Sequence, residues 1–160
     1  MRLSYSPEVD ILTVYLSHGT YEYGEDNEGV IVHHDIDGNP LSLDILDAKL
    51  FVMFANTSLV TGREITNPDV PEVPYVKERN VPVRAIPKGD ADLRFKYQSD
   101  SDTLTVNFGS GAPDVSRRNH DVAVYYDCNE LPVGLEIAKA HQFVLGSMQS
   151  VLFNREVSVA

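Results

Sequence analysis

The chain has 160 residues, a formal net charge of −11 and a single cysteine. The negative charge argues against nucleic acid as a partner, because binding to phosphates needs a cationic face. No apolar run approaches the roughly 20 residues that cross a bilayer, and no apolar signal segment follows Met1. One cysteine, Cys128, cannot form an internal disulfide, which fits a reducing compartment. We therefore expect a soluble cytoplasmic protein without a membrane partner.

The chain contains an internal repeat. Residues 2–52 align without a gap with residues 94–144 at an offset of 92, and 17 of the 51 aligned positions are identical. Several other positions exchange one apolar residue for another, as expected of two copies of a folding unit. Each copy lies near the lower size limit for independent folding, so we expect a shared core. The predicted organisation is repeat 1 at 1–52, a connector at 53–92, and repeat 2 with a tail strand at 93–160.

Apolar residues alternate with a period of two in both repeats, which predicts strands with one buried face. Turn residues follow the first strand and the third, as in hairpins. The alternation is lost at 46–53 and 138–145, where we predict a short helix. The resulting fold is α+β and β-rich, with two antiparallel β-meander repeats, each with a short helix, related by a pseudo-twofold axis. The predicted strands lie at 3–5, 12–16, 30–32 and 41–45 in repeat 1, and at 95–97, 104–108, 122–124 and 133–137 in repeat 2.

The connector 53–92 carries five of the nine prolines, which excludes a central strand or a long helix there. Its apolar residues are too numerous for a free linker. We expect the connector to pack on the body, with 81–86 as an edge strand. The tail alternates weakly over 151–159 and predicts a last strand.

A histidine and an aspartate in one strand form the best metal candidate. His33 and Asp35 would point to the same face of a strand, and Asp127 stands at the position equivalent to Asp35. Two ligands do not make a site, and Asp37-Gly38 is explained by a hairpin turn alone. We therefore predict no cofactor and keep His33, Asp35 and Asp127 as an alternative metal set.

A Tyr–Asp pair, Tyr5 and Asp10, recurs as Tyr97 and Asp102 around the same hairpin turn. A duplicated aspartate can be a duplicated catalytic acid. We favour a structural role, because an aspartate at a turn accepts hydrogen bonds from nearby backbone N–H groups.

Acidic residues are concentrated in repeat 1, whose net charge is −8 against −2 for repeat 2. Four of them are predicted to form an acidic loop, which is either a solvated charge run or a site for a basic protein. Repeat 2 has Arg117 and Arg118 where repeat 1 has Glu25 and Asp26, so the two loops would attract each other if they met across the axis; drift of a surface loop explains the reversal equally well. The acidic residues are Glu22, Glu25, Asp26 and Glu28.

Three segments carry a family resemblance. They are Tyr-Ser-Pro-Glu-Val-Asp-Ile-Leu at 5–12, Glu-Gly-Val-Ile-Val at 28–32 and Leu-Asp-Ile-Leu-Asp-Ala at 43–48. They resemble the bacterial family known as domain of unknown function 2283, and repeat 2 keeps the same frame, so the chain looks like a tandem duplication of that domain. The resemblance implies a small β-rich cytoplasmic module with no catalytic residues to carry over, and an antitoxin-like accessory role beside toxin-like proteins.

The favoured function is a non-catalytic acidic protein-binding or regulatory module. The alternative is a small-ligand or metal-dependent enzyme with a site between the repeats. A pocket lined by converging histidines and carboxylates would favour the enzyme, and a flat acidic face would favour the binder. The oligomeric state stays open between a monomer with a pseudo-dimeric core and a homodimer.

Overall fold

The structure, a computed structural model, describes residues 1–67, 83–85, 93–108 and 111–159. Two sheets and two helices make up this part of the chain, which confirms the predicted α+β, β-rich class. In chain order the elements are β1 (Arg2–Ser6), β2 (Ile11–Tyr15), β3 (Tyr23–Asn27), β4 (Val30–His34), β5 (Pro40–Leu46), α1 (Ala48–Thr61), β6 (Ile65–Asn67), β7 (Val83–Ala85), β8 (Leu93–Gln98), β9 (Thr103–Asn107), β10 (Val115–Asn119), β11 (Val122–Tyr126), β12 (Pro132–Ala138), α2 (Ala140–Phe153) and β13 (Val157–Ser158).

Among the described residues, sheet A has the strand order β13-β1-β2-β5-β4-β3-β7 and sheet B the order β10-β11-β12-β9-β8-β6. Neighbouring strands are antiparallel except β3 and β7, which are parallel. The predicted meander is wrong, because β2 pairs with β5 and β9 pairs with β12. Residues 2–52 and residues 94–144 each contain one more strand than predicted. The additional strand is β3 in the first segment and β10 in the second. These strands are polar, so they lack the apolar alternation, and each starts a hairpin at the far side of its sheet.

We call residues 1–67 the first half of the described chain and residues 93–159 the second half. Equivalent elements of the two halves stand at a constant separation along the chain. From β2 to β5, and in α1, every element begins and ends 92 residues before its counterpart in the second half. The bulge at His33/His34 in the pairing of β4 with β5 recurs at Tyr125/Tyr126 in the pairing of β11 with β12.

Both helices are longer than predicted. Helix α1 continues to Thr61, so the first nine residues of the predicted connector are helical, and α2 takes up the start of the predicted tail strand. Small polar residues such as Ser58 and Ser150 occupy the buried helix faces, which hides the apolar period. Strand β13 lies within the predicted tail strand 151–159, and β7 lies within the predicted edge strand 81–86. The rest of the connector, 68–82 and 86–92, lies outside the described residues.

Each half completes the sheet of the other. Helix α1 packs on β8, where the rings of Phe51 and Phe95 meet edge to face at 5.0 Å, and β6 extends the same sheet. In return, α2 packs on β1 and β13 pairs with β1. A Cβ added at Gly146 of α2 would lie only 3.1 Å from Leu3, so the helix and strand are in close contact. A single core cluster, which includes Leu43 and Leu135, therefore contains residues of both halves.

Two equivalent asparagines join the halves on opposite sides. The side-chain amide of Asn27 donates to the carbonyl oxygens of Phe108 and Pro132 at 3.1 and 2.8 Å. The amide of Asn119 donates to the carbonyl oxygen of Pro40, the counterpart of Pro132, at 2.8 Å. Because buried polar groups need partners, these bonds fix how the two sheets meet.

Candidate functional site

The predicted acidic loop is a strand and a turn. Glu25 and Asp26 lie in β3, where Glu25 is buried, and Glu28 occupies the β3–β4 turn with a φ of 53°. Asp26 accepts a hydrogen bond from the backbone N–H of Gly29 at 3.1 Å, and burial raises the pKa of its carboxyl group. Glu22 is exposed just before β3. The four residues therefore do not form the solvated acidic run that the sequence predicts.

The predicted attraction between Asp26 and Arg118 is also absent. Arg118 forms an ion pair of 2.9 Å with Glu136 in its own sheet. Arg117 does cross between the halves, but its guanidinium donates to the backbone carbonyl of Asp37 at 2.9 Å. Both arginines of β10 therefore contact groups of this chain rather than the acidic residues of β3.

The three candidate metal ligands form hydrogen bonds with different groups and do not converge on one point. His33 Nε2 lies 2.8 Å from Asp44 Oδ2, inside the protein. Asp35 lies beyond the end of β4 and accepts the backbone N–H groups of Asn39 and Asp37, which hold the pKa of its carboxyl group below the usual range. Asp127 binds its own turn in the same way. Within the described parts of the chain, no three His, Cys, Asp or Glu side chains are grouped to hold a metal ion.

His33 belongs to a polar cluster that sequence reasoning missed. Asp44 joins His33 to Thr13, whose hydroxyl donates to Asp44 Oδ1 at 2.6 Å, and all three side chains are buried. At the equivalent positions of sheet B, the hydroxyl of Tyr125 donates to Glu136 at 2.9 Å. The signal was Asp44 itself, an acid in the apolar run of β5. Burial keeps the cluster away from any substrate, so its role is to satisfy polar groups inside the protein.

The repeated Tyr–Asp pair caps a helix. The hydroxyl of Tyr5 donates to Asp10 Oδ1 at 2.9 Å, and the same oxygen accepts the backbone N–H of Lys49 at 3.3 Å. The backbone carbonyl of Asp10 accepts the N–H of Ala48 at 3.0 Å, so Asp10 binds two free N–H groups at the start of α1. Burial, followed by the bond to Asp10, raises the pKa of Tyr5 to about 12. Tyr97 and Asp102 repeat the arrangement at α2.

Asp10→Ala is expected to lower the free energy of unfolding by about 0.5–2 kcal/mol, the usual cost of removing a side chain that caps a helix. Asp10→Asn keeps an acceptor oxygen and should cost less. Glu8→Ala, an exposed acid in the same hairpin, is the matched control. Equal unfolding midpoints for Asp10→Ala and Glu8→Ala in denaturant titrations would contradict the capping role.

A groove between the two halves is the best candidate for a binding site. It has a volume of about 740 Å³ and runs from the start of β1 and the end of β2 to the β10–β11 turn. Pockets for small molecules usually measure about 300–1,000 Å³. Its polar and aromatic side chains are those of Arg2, Tyr15, Ser17, His18, Tyr21, His120 and Ser158.

The groove carries one guanidinium and two imidazoles although the protein is acidic. Arg2, His18 and His120 reach it, and no carboxylate is among its described lining residues. The guanidinium of Arg2 lies 4.2 Å above the ring of Tyr15, which holds it at the groove, and its ion pair with Glu156 is long, 3.6 Å, and exposed. An exposed pair of this kind is weak, so Arg2 keeps most of its attraction for an anion.

The polar groups of the groove are oriented by neighbours from both halves. Ser17 Oγ accepts a hydrogen bond of 2.8 Å from the amide of Asn119, which leaves the hydroxyl hydrogen able to donate to a ligand. Tyr21 meets the buried His33 edge to face at 5.8 Å. The sequence did not reveal this site, because its residues come from four separate segments and no motif joins them.

The protein is therefore of the α+β class, with two sheets and a groove large enough for a small molecule. Residues 2–49 match the model of the family described as Protein of unknown function (DUF2283), which confirms the predicted resemblance for that segment. Searches of curated proteins and of solved structures find no significant match. Among the described residues, neither 14-residue helix is long and apolar enough to span a membrane.

Proposed function

We propose that this protein is a non-catalytic cytoplasmic binding protein, formed by tandem duplication of the unit matched at 2–49, and that it binds a small anionic ligand in the groove between its halves. The observation that carries the proposal is the groove itself, a concave site with three cationic or imidazole side chains and no described carboxylate in a chain of net charge −11. A local positive region concentrates anions even when the whole protein repels them.

The duplication is supported by the constant separation of 92 residues between equivalent elements. A pseudo-twofold axis is supported by contacts between equivalent residues. His34 Nε2 lies 2.8 Å from the hydroxyl of Tyr126, its counterpart in the second half, and a residue meets its own counterpart only near the axis. The reciprocal bonds of Asn27 and Asn119 obey the same rule, since a twofold interface repeats each contact in both directions.

The chemistry of the groove favours a carboxylate or phosphate ligand. A guanidinium presents several N–H donors in a plane that fits the oxygens of such groups, and Arg2 is already aligned by Tyr15. The hydroxyl of Ser17 and ring N–H groups of His18 and His120 add donors from two other segments. Repeat 2 supplies His120, so the complete donor set needs both halves.

Binding without catalysis is supported by the position of the polar clusters. The Thr13–Asp44–His33 cluster combines groups that catalysis often uses, but it is buried. The described groove lining has no carboxylate to orient a histidine as a base.

A basic protein partner is a second candidate, favoured by the net charge of −11 and by the exposure of Glu22. It would engage the acidic residues Glu22, Glu25, Asp26 and Glu28, in keeping with an antitoxin-like accessory role. The burial of Glu25 reduces the acidic surface at this place, so we rank this partner below an anion in the groove.

Inorganic phosphate and citrate, added at constant ionic strength, are expected to shift backbone amide resonances of residues 16–21 and 119–121 in ¹H–¹⁵N spectra. The combined variant His18→Ala/His120→Ala should weaken binding several-fold, because it removes two of the donors. Arg118→Gln is the control, since it removes a cation that pairs with Glu136 outside the groove.

Shifts that are absent, or equal in the control and in the double variant, would contradict an anion site. The same titration with a lysine-rich peptide tests the second candidate. Shifts around Glu22 with the peptide, and none in the groove with the anions, would replace the proposed function by binding of a basic protein.

A further inference from the structure

The outer faces of α1 and α2 form an apolar surface. The two helices pack against each other, so their outer faces lie side by side. Eight large apolar side chains are exposed in the described part of the chain, and five of them lie on these helices, each between 51% and 77% exposed. Monomeric proteins rarely expose contiguous apolar patches of this kind, which more often mark contact with another molecule. The helix face consists of Met53, Val60, Leu145, Leu152 and Phe153.

The helix face is also almost free of charge. Of the 28 residues in α1 and α2, Lys49 alone is an Asp, Glu, Lys or Arg. Helices at the surface of a soluble protein normally carry charged residues on their outer side. Because these helices carry no acid, another acidic molecule can approach their outer face with little repulsion even though the chain has a net charge of −11.

The helix face has exposed apolar side chains at equivalent positions of its two helices. Met53 and Val60 on α1 stand 92 positions before Leu145 and Leu152 on α2, so each helix presents two equivalent apolar side chains seven residues apart. A patch made of two like halves suits a partner surface with the same arrangement, as in a twofold interface.

The border of the helix face carries both signs of charge in each half. Arg63 and Glu64 follow α1, and Arg155 and Glu156 follow α2, all four exposed; among the described residues, Glu156 makes only the long, exposed ion pair with Arg2 described above. A second copy turned about a twofold axis offers a glutamate to each arginine and an arginine to each glutamate. A purely basic or purely acidic partner would face one like charge in each of these pairs.

We propose that the helix face is a homodimer interface, with a second copy of this chain as its occupant. The apolar centre, the absence of acids and the mixed charged border all fit a second copy. The proposal does not depend on the groove, whose described lining includes none of these helix residues.

Analytical ultracentrifugation over a range of protein concentrations is expected to show a reversible monomer–dimer equilibrium. Leu145→Glu, which puts an acid at the centre of the face in each copy, should shift the protein to monomer. Ile36→Glu is the matched control, because Ile36 is an exposed apolar residue away from the helices, in the β4–β5 turn. Thermal melts of both variants check that the fold is intact.

A second measurement keeps the test decisive if Leu145→Glu is unstable. In a Cys128→Ser background, the thiol of Leu145→Cys should react with a maleimide more slowly as the protein concentration rises, because the dimer covers it, whereas the thiol of Ile36→Cys should react at a constant rate. A wild-type protein that stays monomeric at the highest attainable concentration, or the same dependence on concentration for the two thiols, would overturn the proposal.

Discussion

Leu43→Ala and Leu135→Ala are each expected to lower the free energy of unfolding by about 2–5 kcal/mol, the range measured when a buried leucine is truncated. Both side chains are fully buried, in β5 and β12, and both belong to the core cluster that the two halves share. Each of these strands pairs on both sides within its sheet, so the surrounding structure has little freedom to collapse into the cavity.

Denaturant titrations followed by circular dichroism measure the two losses. Ile36→Ala removes a similar side chain from an exposed turn and should leave the midpoint nearly unchanged. A loss at Leu43 without a loss at Leu135 would show that the halves contribute unequally to the core. An unchanged midpoint for both would contradict the burial of these strands.

The stability of the protein is expected to fall by about 3 kcal/mol between pH 7 and pH 4 because of His34, at about 1.4 kcal/mol for each unit of pKa difference. Burial, and then the neighbouring His33 and Arg117, lower the pKa of His34 from its ordinary 6.5 to about 4. The unfolded chain takes up the proton first as the pH falls. The contribution of His34 is therefore complete above pH 6.5 and is lost as the pH falls to the folded value.

Unfolding measured at several pH values tests this effect in wild type and in His34→Gln. Glutamine keeps a polar group beside the hydroxyl of Tyr126 but does not titrate, so the variant should show a flatter dependence of stability on pH. His18→Gln removes an exposed histidine and serves as the control. The same slope in wild type and His34→Gln would rule out His34 as the source.

The sequence predicted the strands with apolar alternation and the class of the fold, because a half-buried strand must alternate. It missed β3, whose Gly24, Glu25 and Asp26 offer no apolar period, and with it the strand order. It predicted helices but cut them short, because Ser58 on the buried face of α1 hydrogen-bonds backbone carbonyl groups and so behaves as a core residue. Local pattern therefore succeeded where burial is apolar and failed where it is polar.

The candidate site was harder to predict than the fold. The metal hypothesis relied on His33 and Asp35 as neighbours on one strand face, but β4 ends at His34 and Asp35 turns back onto its own loop. The groove brings together Arg2 and His120, which are far apart in the sequence. The proximity of these residues depends on how the two halves pack against each other, and a local sequence pattern does not predict that packing.

The exchange of elements between the sheets has a consequence for how the molecule folds. Strand β6 and helix α1 come from the first half, but β6 extends sheet B and α1 packs on it. Strand β13 and helix α2 come from the second half, but β13 extends sheet A and α2 packs on it. Neither half can therefore bury its own apolar surface before the other is present. Most of the stabilising contacts join residues distant in sequence, so formation of the native state should be slow and all-or-none, without a stage in which one half is native and the other is not.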